Sequence, residues 1–303
     1  MFQVLIDSLI RAAELSFLAV GLTMVYSVLR FPNFAHVEFA TVGAYLALWL
    51  SAAPIGLPMT AATLVAITLA DAIGVGLDRV VFSRLRRASP IMLMVAAFAL
   101  GIAIRETVRA IWGPSPYFYK LGLMRPWEVL GGRITPIQVA IILAAVAAML
   151  AFHLLLNRTK LGIAMRATAD NAPLSQASGI HTERVIVVVW FIGSAFAALG
   201  GVLIALNTQV QPDMGFGIII QVFAAAILGG IGNPYGAMAG AVVLGFAENI
   251  GLAINWGPAF GALGLTAAPY VFIPTGYKAA IPFSLLILVL LLRPQGLMGG
   301  ARR

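Results

Sequence analysis

The 303-residue chain contains no cysteine, which excludes disulfides, thiolate-held metals and cysteine nucleophiles. Charge is scarce as well. Asp, Glu, Lys and Arg make up 10% of the residues, against about 25% in a soluble domain. The three histidines, His36, His153 and His181, are far apart, so no structural metal site is expected. There is no G-x-x-x-x-G-K-[ST] phosphate loop, no H-E-x-x-H and no G-x-S-x-G. Catalysis on this chain is therefore not expected, and no catalytic residue is assigned. Intrinsic disorder, a soluble enzyme and a nucleic-acid binder all fit this composition poorly.

What the chain has in excess is apolar: 61% of its residues. A bilayer core is about 30 Å thick and takes about 20 helical residues to cross, so this length allows at most about ten crossings. Apolar stretches predict crossings near 9–29, 37–53, 57–77, 91–111, 135–156, 185–206, 216–232, 236–254 and 278–292. The expected fold is all-α: a polytopic transmembrane helical bundle of about eight to ten helices, forming a single domain over residues 1–303. Segments 29–36 and 212–236 read as interrupted or re-entrant. Met1–Leu5 lacks a basic region, so the first segment is expected to be a retained helix rather than a cleaved signal.

The formal charge of +8 is read as a topology signal. Basic residues cluster at Arg79, Arg84, Arg86 and Arg87, at Arg158, Lys160, Arg166 and Arg184, and at Arg293, Arg302 and Arg303. These three stretches and the C-terminus are expected on the cytoplasmic side, and loop 113–133 on the other, despite its Lys120, Arg125 and Arg133. Nine crossings would place the N-terminus outside. Small residues recur every fourth position at Gly193, Ala197 and Gly201 and at Gly232, Gly236 and Gly240. Such faces let backbones approach closely, either between helices of one subunit or at a subunit interface.

Polar groups at membrane depth are costly and hence candidates for function. Asn33, His36 and Glu38 surround Pro32, either lining a permeation path or ending a helix at the interface. Glu248, beside Asn249, stands in the otherwise uncharged stretch 237–254. It must face the interior, pair with a base or be protonated, whether it touches substrate or a neighbouring helix. Arg105, Glu106 and Arg109 are expected to mark the outer end of a crossing, and Asp213 to lie in a solvated outer loop. Asp71 is either a buried polar contact or sits near the inner end beside Asp78 and Arg79. Leu29–His36 and Gly229–Gly236 are both Pro/Asn breaks entering Gly/Ala-rich segments, the pattern that points to transport sites in repeated folds.

Stretch 157–184 is too polar to span and too long for a hairpin. It predicts a short amphipathic helix at the inner surface with Gly179 as a stop. Either it lies on lipid, or it docks a soluble partner through Met165, Leu174 and Ile180.

Four segments, in order, carry a family resemblance. Gly21-Leu-Thr-Met-Val-Tyr-Ser-Val-Leu-Arg-Phe-Pro-Asn-Phe-Ala-His-Val-Glu38 with Gly43-Ala-Tyr45 resembles the first signature of branched-chain amino acid ABC transporter permeases of the LivH type. Gly162-Ile-Ala-Met-Arg-Ala-Thr-Ala-Asp-Asn171 with Gly179-Ile180 is similar to that family's cytoplasmic coupling loop. Ala226-Ile-Leu-Gly-Gly-Ile-Gly-Asn-Pro-Tyr-Gly236 with Glu248, and the ending Leu292-Arg-Pro-Gln-Gly-Leu297, resemble its later landmarks.

The resemblance implies a multi-pass permease of the bacterial inner membrane, paired with a LivM-type permease. Two ATP-binding subunits and a periplasmic solute-binding protein complete the expected assembly. It implies ATPase coupling through Ala164, Met165, Arg166, Ala167, Asp170, Asn171 and Gly179, and the polar residues at the breaks place the candidate substrate pathway near Asn33, His36, Glu38, Asn233 and Glu248. This chain would bind no cofactor, ATP and Mg²⁺ being held by the partner subunits. Branched-chain amino acids are the expected cargo, with urea, amides or aromatic acids as alternatives. An ion-coupled secondary transporter would need a pair of buried carboxylates, for which only Glu38 and Glu248 are available. A passive channel would have no use for a docking loop.

Overall fold

The computed structural model describes residues 2–86, 88–122, 124–263 and 270–299. Arg87, Arg302 and Arg303 lie outside them. The chain is a helical bundle whose only sheet among the described residues is a two-stranded hairpin, β1 (Trp127–Val129) and β2 (Gly132–Ile134). Helix α1 (Phe2–Leu29) is followed by a 3₁₀ turn (Phe34–Val37) and α2 (Glu38–Ser51). Helix α3 (Met59–Leu77) continues through a π-helical turn to Leu85. Then come α4 (Pro90–Trp112), α5 (Pro136–Arg158), α6 (Lys160–Asp170), α7 (Ala172–Ala177) and α8 (Thr182–Asn207). The remainder is α9 (Met214–Gly217), α10 (Ile219–Gly229), α11 (Pro234–Ala253), α12 (Gly257–Ala262) and α13 (Ala280–Leu292).

Local sequence explains the helix starts. Proline, which needs no intrahelical N–H partner, occupies the first turn of α4, α5 and α11. Ser89, Thr135 and Asn233 precede them and accept hydrogen bonds from the exposed first-turn amides. Eight helical stretches are long and apolar enough to cross a membrane, including the composite Phe34–Ser51. The crossing expected at 216–232 is not a full one. Helix α10 has 11 residues, about 16 Å at 1.5 Å each, roughly half of a bilayer core.

Helix α1 is the axis of the bundle: 78% of its apolar window is buried, against 6% for the last span. Both small-residue faces serve packing within the chain. Gly193 meets Gly21 and Val25 of α1, Gly201 lies on the Ala40 backbone of α2, and Gly236 and Gly240 lie against Gly229 and Ala225 of α10. Gly232 is instead a turn residue with φ +90°.

The two ends of the bundle are distinct. At the hairpin end, Arg133 N–H donates to Gln3 Oε1 (2.8 Å), Tyr117 pairs with Val210, and Gln138 donates to Asn207 (3.4 Å). Tyr119 donates to the Ala44 carbonyl (2.9 Å), and burial pushes its hydroxyl pKa up. At the α6 end, Arg30 donates to the Ala169 carbonyl, and Arg86 pairs with Glu183 and with Asp78 (2.7 Å). Leu297 and Met298 N–H there donate to the Leu228 and Gly229 carbonyls that terminate α10 (2.7 and 3.0 Å). The described residues of the three basic stretches therefore share one end, and Phe2 lies at the opposite end from Met298.

Candidate functional site

Two broken passages meet inside the bundle. After Leu29 the chain runs irregularly through Arg30, whose φ is +58°, and Pro32 before helix resumes at Phe34. Asn33 starts that turn, its side-chain oxygen accepting from Ala35 N–H (3.1 Å). His36 then packs against Gly21, about 12 Å along α1 from its end at Leu29, so α2 begins at mid-depth. The second passage, 208–218, is irregular apart from the single turn of α9, and α10 also starts at mid-depth. Gly215 N–H donates to Thr41 Oγ1 (3.1 Å), and Phe34 stacks on Phe223 with centroids 4.6 Å apart.

These segments close on α4 around a pinched cavity of about 10 Å³, lined by Phe34, Glu38, Phe98, Ile102, Arg105 and Phe216 among others. Roughly one water would fill it. Its rim is open to whatever lies outside the chain, since Phe98, Ile102 and Phe216 are 45%, 39% and 43% exposed. Glu38, at the favourable N-terminus of α2, accepts from Thr41 Oγ1 (3.3 Å). The Arg105 guanidinium lies 4.4 Å above the Phe216 ring. The site thus combines one carboxylate, one guanidinium and aromatic walls where α2 and α10 begin inside the bundle.

The expected pathway residues do not all gather here. Glu38 lines the cavity. Asn33 and His36 are buried just behind it, with Asn33 Nδ2 and His36 Nε2 lacking hydrogen-bond partners among the described residues. His36 fills the notch between Gly21 and Gly193 and acts there as a packing key. Asn233 lies at the α6 end, capping α11 and donating to the Met298 carbonyl (3.1 Å). With Arg30, Asp170 and Gln295 it borders an open cleft of about 740 Å³. The Gly229–Gly236 motif is therefore a turn at the end of the bundle, and the second mid-depth break falls at 208–218.

Glu248 sits in a separate network. It is fully buried and paired with Arg11 (3.0 Å) and Lys278 (3.6 Å). Arg11 also contacts Glu14 (3.4 Å), which accepts from Asn207 (2.9 Å). Asp71 is a buried group facing Ser194, while Asp78 binds Arg86 at the α6 end. Asp213 is not simply solvated: it accepts from Arg109 Nη2 (2.6 Å).

The coupling stretch forms two helices. Thr159 caps α6 and Asn171 caps α7 (3.0 Å each), and Gly179, with φ +87°, ends the unit. Met165 does not face outward as expected. Gly162 presses on the Leu155 and Leu156 carbonyls, which turns Met165 into a cluster with Phe152, Leu156 and Val185. The outward apolar side chains are Ile163 and Leu174, flanked by exposed Arg166, Asp170 and Asn171, while Ala164, Ala167 and Ile180 are half-buried.

Sequence reading missed Arg11, hidden within an apolar run, and placed Arg105 at the outer end of its helix. The helical spacing of Arg105 and Arg109 was a usable signal, because one turn more inward puts Arg105 about 6 Å deeper.

The residues from 4 to 290 match the family model described as the branched-chain amino acid transport system permease component. The chain is 31% identical over 310 residues to the high-affinity branched-chain amino acid transport system permease protein LivH of Escherichia coli K12, covering 98% of this chain and 95% of that one. It is also 31% identical, with the same coverage, to the corresponding permease protein BraD of Pseudomonas aeruginosa. The ribose import permease protein RbsC of Escherichia coli matches at 25% over 69% of this chain and 67% of its own. Among solved structures, PsaBC from Streptococcus pneumoniae in complex with Fab shares the fold at a TM-score of 0.50 and 14% identity, over 97% of this chain and 94% of that one. With the broken-helix bundle and a family match over nearly its full length, this chain belongs to the permease component family of branched-chain amino acid transport systems.

Proposed function

We propose that this chain is one of two permeases in a binding-protein-dependent ABC importer of the bacterial inner membrane. Branched-chain amino acids are its cargo, and the C-terminus and the α6 end are cytoplasmic. The observation that carries this reading is the convergence on α4 of two broken passages, those ahead of α2 and of the short helix α10, in a bundle whose basic end carries α6 and α7. Discontinuous helices meeting at mid-membrane are how transporters expose backbone and polar groups to a cargo. Excess Arg and Lys at the α6 end supports a cytoplasmic placement.

In this reading a second permease of LivM type supplies the missing wall beyond Phe98, Ile102 and Phe216. ATP-binding subunits dock on Ile163 and Leu174, and ATP with its Mg²⁺ is held there and not by this chain. A solute-binding protein delivers cargo at the hairpin end. Closure of the ATP-binding pair moves α6, and the Arg30 bond to the Ala169 carbonyl carries that motion to the break before Phe34. Two packings of the break then alternate, each favoured by a different nucleotide state. An ion-coupled mechanism gains no support from geometry, because Glu248 is ion-paired away from Glu38.

Reconstitution of this permease with its partner subunits in proteoliposomes tests the reading. Leucine uptake should require ATP and the binding protein and should survive collapse of ion gradients. Uptake without nucleotide would overturn it.

A further inference from the structure

The two arginines one turn apart on α4 are treated very differently. Arg109 is satisfied: it donates to both Glu106 oxygens (3.1 and 3.2 Å) and to Asp213 (2.6 Å). Arg105, 14% exposed, has only longer contacts, with Nε 3.5 Å from Glu106 and 3.8 Å from Asp213. Among the described residues it donates no hydrogen bond, and its Nε is buried without a partner. A guanidinium carries five donors in a fork that matches a carboxylate. Here it is held by the Phe216 ring and borders the cavity, while Arg109 takes the hydrogen bonds of both local acids.

Glu38 lines the same cavity. Arg105 makes its ion contacts with Glu106 and Asp213 and not with Glu38. Glu38 is buried with no cation in contact among the described residues, which is costly unless the positive group of a ligand meets it. Phe34, Phe98 and Ile102 provide an apolar wall beside the gap.

We propose that Arg105 and Glu38 form a charge-reading site for cargo, Arg105 taking a carboxylate and Glu38 an ammonium, with the side chain against Phe34, Phe98 and Ile102. This rests on the permease reading above and adds to it a residue-level filter. A zwitterion satisfies both charges at once, an aromatic acid satisfies only Arg105, and urea satisfies neither. In the closed state the pinched cavity excludes cargo, and separation of the half-helices opens it.

Because the chain has no cysteine, Ile102→Cys places a single thiol of this subunit in the site. The experiment follows its alkylation by a maleimide in the full reconstituted transporter. L-leucine should slow alkylation more than 4-methylpentanoate or 3-methylbutylamine, and urea should not slow it. Adding Arg105→Gln should weaken protection by the acid about tenfold, as for one lost charge-assisted hydrogen bond, and leave the amine unaffected. Glu38→Gln should do the reverse, and Arg105→Lys should restore part of the acid effect. If the Gln variants do not assemble, the ranking of the four compounds in the Ile102→Cys background decides. Equal protection by urea and leucine, no protection by any compound, or loss of both fragments in either variant overturns the proposal. ATP-driven leucine uptake with such a result leaves the permease reading standing, and charge-selective protection without ATP-driven uptake overturns that reading alone.

Discussion

Glu248 Oε2 accepts a hydrogen bond from Arg11 Nε at 3.0 Å, joining α11 to α1 across 237 positions of sequence. Lys278 adds a second cation at 3.6 Å, so the carboxylate is buried between two helices and the turn that precedes α13. Removing one partner strands the other. Arg11→Ala should cost about 3–5 kcal/mol, whereas the double replacement Arg11→Leu with Glu248→Leu should cost less than Arg11→Ala alone. Thermal unfolding of the purified chain measures both. A double variant as unstable as the sum of the singles would refute the pairing.

On the proposed docking face of α6 and α7, exposed and buried positions should behave differently. Ile163→Asp with Leu174→Asp alters exposed residues and should abolish copurification of the ATP-binding subunits at normal permease yield. Met165→Asp places a charge in an apolar cluster and should lower the permease yield itself, the cost being about 3 kcal/mol or more. Pull-down and quantitative membrane yield distinguish the two effects.

Phe34 and Phe223 join the two breaks by one ring stack. Phe34→Ala removes an interaction of about 0.5–1.5 kcal/mol and should shift the closed–open balance about two- to tenfold. ATP hydrolysis without binding protein should rise by that factor. An unchanged basal rate would show that the stack does not hold the closed state.

Neighbours set the tolerance of the glycines on α8. A Cβ at Gly193 would lie 2.8 Å from Val25 Cγ2, the tip of a side chain, whereas one at Gly201 would enter the Ala40 backbone. Gly193→Ala should therefore change stability by about 1 kcal/mol or less, and Gly201→Ala should cost about 2–3 kcal/mol as α2 and α8 separate. Melting temperatures in detergent should show this order.

Tyr119 lies outside the spans and its hydroxyl pKa is raised by burial. A folded-state pKa above the unfolded value of about 10 gives stability that is complete below that pH and lost as pH climbs through it. The melting temperature should fall above about pH 10, and Tyr119→Phe should flatten that fall while costing about 1 kcal/mol at neutral pH. A fall of unchanged steepness in the variant would exclude this tyrosine.

Much of the bundle was legible in the chain because lipid demands long apolar runs, which are one-dimensional signals. Eight of the nine expected crossings, the break at Pro32 and the helix starts at Pro90, Pro136 and Pro234 follow from local composition. The basic stretches foretold that residues 79–86, 158–184 and the end of the chain share one side. The site itself was only half visible. Glu38 stood out as a charge beside a break. Arg105 was expected only at the outer end of its crossing, since its placement depends on Arg109 hydrogen-bonding the neighbouring acids and on Phe216 arriving from more than a hundred residues away. Met165 could not be told from Ile163 by composition, because which face of α6 is buried depends on Gly162 meeting the end of α5.

Residue order alone thus determined a membrane-embedded helical bundle with polarised ends, since burial in lipid and the charge bias of short loops act on contiguous segments. Tertiary structure decided which polar groups are satisfied and which are left open. Ion pairs such as Arg11–Glu248 and the gap between Arg105 and Glu38 arise from distances between remote helices, and those distances are set by packing.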